Sequence, residues 1–170
     1  MKRIALILAC LNLSEVVALA APRGFETENI VLYQPNDVLE ERLPDVTKLA
    51  DYIKRLQDVC QQFFAATTSP ETLDIVVAVR PGGQSRIWFV SSVQSTPDAK
   101  RKSLRKDLEN VTPCDVTSGS IAFAIAAKIA GGDGTKRTDI PMPLEWQKAA
   151  ARKGNVIIPD GVLDSVWPQR

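Results

Sequence analysis

The chain has 170 residues, with 21 Lys and Arg against 20 Asp and Glu, three cysteines and no histidine. A near-zero net charge gives no general pull toward nucleic acid or anionic lipid, and the missing histidine removes the commonest general base and metal ligand. This length suits one domain with a real hydrophobic core.

Residues 1–20 read as a cleavable secretory signal. Lys2 and Arg3 form a positive head, Ile4 to Leu13 an apolar stretch broken only by Asn12, and Ala18-Leu19-Ala20 offers the small residues a signal peptidase reads. Cleavage is expected between Ala20 and Ala21, since one position later would place Pro22 directly after the cut. Ile7-Leu8-Ala9-Cys10 supplies a rival reading, a lipoprotein box that would tether the protein through Cys10, but it leaves a short apolar core of Ile4 to Ala9. No other stretch approaches the ~18 continuous apolar residues of a membrane span. The expected product is soluble, periplasmic or secreted. Removing Lys2, Arg3 and Glu15 takes the charges from 21 and 20 to 21 − 2 = 19 and 20 − 1 = 19.

Residues 21–44 form an extended lead-in, punctuated by Pro22, Gly24, Pro35 and Pro44, with a short strand at Asn29–Tyr33. A core domain over 45–130 follows. Asp45 to Ala66 is a helix, because Val46, Leu49, Ala50, Ile53, Leu56, Cys60, Phe63 and Phe64 recur in steps of three and four. Asp45 is its candidate N-cap. Thr72–Arg80 and Ser85–Gln94 are strands joined by a turn at Pro81-Gly82-Gly83-Gln84. Pro97–Val111 is a second helix with a narrow stripe of Leu104, Leu108 and Val111, and Gly119–Ala130 is a third strand. Residues 131–170 form a tail, with a short helix near Leu144–Lys153 and apolar patches at Val156-Ile157-Ile158 and Val162–Trp167.

The fold expected is α+β: a three-stranded antiparallel sheet with two helices on one face, in the order α-β-β-α-β, and a C-terminal tail packing on the core. Alternation assigns Leu73, Ile75, Val77, Val79, Ile87, Phe89, Val93, Ile121, Phe123 and Ile125 to the helix-covered face. The opposite face is small and half-apolar, built around Arg86, Trp88, Val90, Ala122 and Ala124, with Asp74, Val76, Ala78, Arg80, Ala126 and Lys128 beside them. Such a face needs cover, from the tail with Trp146 and Trp167 or from a partner. Cys60 and Cys114, an isolated pair in an exported domain, are expected to form a disulfide.

Tyr52-Ile53 and Leu56, the run Leu73-Asp74-Ile75-Val76-Val77-Ala78-Val79-Arg80-Pro81-Gly82-Gly83, the stretch Ile87-Trp88-Phe89-Val90-Ser91-Ser92, then Pro113 and Gly119 to Ile129 carry a likeness. Over roughly residues 47–130 the chain resembles the C-terminal domains of TonB and TolA, periplasmic parts of bacterial cell-envelope energy-coupling proteins. The resemblance implies a three-stranded sheet with helices on one face and a protein-binding role, often through a strand edge. Those proteins carry a membrane anchor and a long linker where this chain has a cleavable leader, so the likeness concerns the fold, and fold does not fix function.

No motif points to catalysis. Ser103-Leu104-Arg105-Lys106 matches S-x-x-K but lacks its partner motifs. Gly131-Gly132-Asp133-Gly134-Thr135-Lys136 lacks the spacing of a phosphate loop and the acidic series of a calcium loop. Asn110-Val111-Thr112 is a glycosylation sequon disfavoured by Pro113. Asp37, Glu40 and Glu41 sit in a polar stretch with nothing to raise a pKa. Lys102, Arg105 and Lys106 make the second helix basic, yet Asp98–Lys102 and Arg105–Glu109 can pair at i,i+4, which favours a solvated face; without interleaved aromatics, nucleic acid is not the expected partner. The function expected is a non-catalytic cell-envelope module that binds a protein, without cofactor or metal. The alternative is an exported inhibitor or immunity-type protein acting on a toxin or hydrolase.

Overall fold

The computed structural model describes residues 24–91, 94–133, 140–152 and 159–167. The leader 1–20 with Cys10, the Ala20–Ala21 junction, Val93 and the patch Val156-Ile157-Ile158 lie outside the described residues. The described elements run β1 (Phe25–Leu32), α1 (Asn36–Arg42), α2 (Val46–Phe64), β2 (Glu71–Arg80), β3 (Gln84–Ser91), α3 (Asp98–Glu109), β4 (Ile121–Ile129), α4 (Leu144–Arg152) and α5 (Pro159–Val166).

The class is α+β, and the four strands form one antiparallel sheet in the order β1-β4-β2-β3. The three expected strands make its inner part, and β1 adds a fourth at the edge. The short strand expected at Asn29–Tyr33 is thus longer, starts earlier and pairs along β4. A register shift between Thr27 and Asn29 explains why alternation hides it: the extra residue lets Phe25 and Ile30 reach the same core, although strict alternation would put them on opposite faces. The lead-in also contains α1, whose Leu39 is buried.

Local chemistry accounts for α2. Asp45 caps it, its carboxylate accepting from the Thr47 N–H at 2.8 Å. Leu49, Tyr52, Leu56, Cys60 and Phe64 then form its buried stripe. They meet Leu73, Ile75, Val77 and Val79 of β2, with Leu104 and Leu108 of α3 in the same core. Tyr52 abuts Phe123 edge-on, centroids 6.1 Å apart.

All ten residues of β2 are buried. A strand buried on both faces requires a second cover, and α4 and α5 provide it. The molecule is therefore layered, with α1, α2 and α3 on one side of the sheet and α4 and α5 on the other. Among the described residues five helices replace the two plus partly helical tail expected from sequence, and the patch at Val162–Trp167 belongs mostly to α5.

Candidate functional site

On the second face, cross-strand pairing lines up Val31, Ala124, Val76 and Trp88 in one row across the sheet. The next row runs Ala122, Ala78, Arg86. Small residues fill the middle and large rings stand at both ends, so the face is a trough. Trp146 of α4 fills it. Its ring lies 5.2 Å from that of Trp88 and 5.4 Å from that of Tyr33, and Ala149 and Ala150 follow it on the same helix face. Trp88 donates its indole N–H to Glu145 at 3.0 Å, and the Tyr33 hydroxyl donates to the Pro141 carbonyl. Burial pushes the Tyr33 phenol well above its usual range. Val90, Val166 and Trp167 pack at the margin. Trp88 is therefore a core residue under the tail, with Val90 partly buried beside it, and the trough is not an open partner surface.

Three arginines from distant elements hold α5. Arg42 makes a forked contact with Asp160, at 2.8 and 2.7 Å. Asp160 also accepts from the Ser120 hydroxyl at 2.8 Å. Arg80 reaches Asp164 at 2.9 Å, lies over the Trp167 ring at 4.5 Å and donates to the Trp167 carbonyl. Arg86 donates to the Val166 carbonyl at 2.9 Å. Two arginines thus serve carbonyls at the end of α5, where the helix leaves acceptors open and its dipole favours cations. Gly119 makes room for Arg42: at φ +60° a Cβ there would lie 2.9 Å from the guanidinium carbon. Burial alone would raise the Asp160 pKa, but the hydrogen bonds from Arg42 and Ser120, with the Arg42 charge, outweigh it and hold the carboxyl below its ordinary value. Arg42, Ser120 and Asp160 were not legible as a group, because contacts spanning 118 and 40 residues leave no local pattern.

The expected disulfide is absent. Cys60 and Cys114 are separate buried thiols. Burial pushes Cys60 up to about 12 and Cys114 up to about 11, so both stay protonated and unreactive near neutrality. The reason lies along α2. The segment carrying Cys114 meets that helix near Arg55, which donates to the Thr112 carbonyl, and Tyr52 and Arg55 both feel Cys114. Cys60 is five to eight residues further on, about 8–12 Å at the α-helical rise, whereas a disulfide needs Cα atoms within about 7 Å.

Lys102, Arg105 and Lys106 are exposed on α3. The i,i+4 pairs expected among them do not form. Asp98 accepts from Gln94, Arg105 lies over the Phe89 ring at 5.6 Å, and Glu109 turns to β3, accepting the Ile87 N–H at 3.2 Å. Ile87 sits at the outer edge of the sheet, since β3 pairs only with β2 among the described residues. Ser103 and Lys106 are both exposed, as are Asp37, Glu40, Glu41 and Asn110. Gly132 packs against β2: a Cβ there would lie 2.3 Å from the Glu71 carbonyl oxygen, so close approach accounts for this glycine. Residues 134–136 of that loop lie outside the described residues.

Among the described residues no group of three or more His, Cys, Asp or Glu is placed to hold a metal ion, and no helix is long and apolar enough to cross a membrane. The chain matches no family model, no curated protein and no solved structure.

Proposed function

We propose that this protein is an exported binding module of the bacterial cell envelope that takes a segment of a partner protein against the outer edge of β3. The observation that carries the reading is the contact between Glu109 and the Ile87 N–H. A carboxylate stands where a neighbouring strand's carbonyl would be, so the edge has an outward donor held by a side chain that a partner can displace. In an antiparallel ladder alternate residues turn their backbone groups the same way. Phe89 therefore shares the outward direction of Ile87.

Three further features support it. The second face is occupied by Trp146 and α5, which leaves the two edge strands of the described sheet, β1 and β3, as its surfaces open to a strand. The helix–strand–strand–helix–strand order resembles that of TonB and TolA C-terminal domains, for which edge binding is expected. Lys2, Arg3, the apolar run and Ala18-Leu19-Ala20 support export, with a mature N-terminus at Ala21.

The test is capture from envelope extract with matched variants. Phe89→Pro removes an outward N–H and leaves the pairing with β2. It should abolish capture while retaining the circular dichroism of the wild type. Glu109→Ala uncovers the edge and should strengthen capture. Capture indifferent to both variants refutes edge binding. A captured toxin or hydrolase whose activity falls on binding would favour the inhibitor reading.

A further inference from the structure

A cavity of about 410 Å³ lies between the end of α2 and the start of α3, remote from the β3 edge in its lining. That volume is near the lower end of the range for small-molecule sites, about 300–1,000 Å³. One wall is aromatic. Phe63 meets Phe64 edge-on at 5.0 Å, and Phe64 stacks on Phe25 at 6.1 Å, so the wall is backed by the core. The facing wall carries Thr96 and is pinned from behind. The Glu71 carboxylate, its side chain fully buried, accepts the Thr96 N–H at 2.8 Å and the Thr96 hydroxyl at 2.6 Å, and is ion-paired to Arg101. Ser95 donates to the Pro70 carbonyl at 2.9 Å. Burying a carboxylate is costly unless paired and hydrogen-bonded, and here that pairing fixes the loop lining the cavity.

The rim differs from the walls. Among the described residues the hydroxyls of Thr67, Ser69 and Ser103 have no hydrogen-bond partner, and Lys100 makes no ion pair. A hydroxyl both donates and accepts. An alkyl chain would leave these hydroxyls and the ammonium unused. An inorganic anion could accept from the hydroxyls and the ammonium but would gain nothing from the aromatic wall. A ring with an apolar C–H face and hydroxyls around its edge satisfies both surfaces. We propose that this cavity binds a pyranose sugar, stacked on Phe63 and hydrogen-bonded to Ser69, Ser103 and Lys100.

The experiment is amide-shift titration of the ¹⁵N-labelled protein with three probes: glucose, N-acetylglucosamine and glucuronate. At least one should give saturable shifts at Ser69, Thr96, Lys100 and Ser103. Ser103→Trp, at an exposed helix position, should block the mouth and weaken that binding by about tenfold or more through steric clash. Lys100→Gln should weaken glucuronate more than glucose if a carboxylated sugar is preferred, and all three equally if the ammonium serves only hydroxyls. Non-saturating shifts with every probe, or saturable shifts that survive Ser103→Trp in a folded variant, overturn the proposal. Either result leaves edge binding at β3 untouched, because none of these residues lies on that strand.

Discussion

The two faces of the sheet solve the same problem with different residues. The first is covered by side chains of similar size from both sides: Leu73, Ile75, Val77 and Phe123 meet Leu49, Tyr52, Leu56 and Phe64. The second pairs extremes, with Val76, Ala78, Ala122 and Ala124 beneath the large ring of Trp146. The first spreads its stabilisation over many branched side chains, each contributing about 1.5–3 kcal/mol when fully buried. The second sets the rings of Trp88 and Trp146 against small residues and fastens the edge of its cover with ion pairs. Helix-stripe logic reads the first kind of packing directly. The second becomes visible only when the large and small halves are brought together.

Trp146→Ala tests this difference between the faces most directly. If α4 is part of the folded unit, denaturant unfolding should show a loss of about 3–5 kcal/mol, within the range for Leu56→Ala on the other face, about 2–5 kcal/mol. A loss below about 1 kcal/mol would show a tail that merely rests on the sheet. The reverse substitution sharpens the point. Ala124→Leu adds bulk beneath Trp146 and should cost about 1–3 kcal/mol by overpacking, with the same measurement deciding.

The fastening of α5 is testable by pH. The folded Asp160 carboxyl is held below its unfolded value, near 3.9 for a free aspartate. Its contribution is therefore fully present above that value and is lost as pH falls through the depressed folded value. Wild type should exceed Asp160→Asn in stability near neutrality, and the two should converge below about pH 4. A constant gap across this range would show that the Arg42–Asp160 contact does not act through charge. The smallest effect is expected on α3. Replacing Lys102, Arg105 and Lys106 with glutamine should change stability by less than about 1 kcal/mol, since exposed charges contribute little. Partner affinity should change by less than about tenfold, or 1.4 kcal/mol. A larger loss of capture, reproduced by added salt, would move the binding surface from β3 to this helix.

What could be read in advance follows the range of the interactions concerned. The α2 stripe, the Asp45 cap, the β2–β3 hairpin and the split of the sheet into a large-residue and a small-residue face are patterns within about twenty residues of chain, and 3.6- and 2-residue periods expose them. The first half of β1, before the expected strand at Asn29–Tyr33, escaped because its bulge breaks the period. α5 escaped because an eight-residue helix with Val162 and Leu163 buried offers too few turns to show a stripe. The cysteine pair misled for a related reason: counting two thiols in a domain expected to be exported ignores where a long helix carries each of them.

Local patterns in the chain carry the α+β class, the helix–strand–strand–helix–strand order and the presence of a second sheet face that could not stay bare. These depend on which residues prefer burial, a preference each local window carries. Long-range packing is what joins β1 to β4, lays Trp146 over the alanines between Trp88 and Tyr33, brings Arg42 across 118 residues to Asp160 and keeps Cys60 and Cys114 apart. Those outcomes depend on register and distance between remote segments. A composition or a period states that a group needs a partner; the closed chain alone selects which partner is near enough.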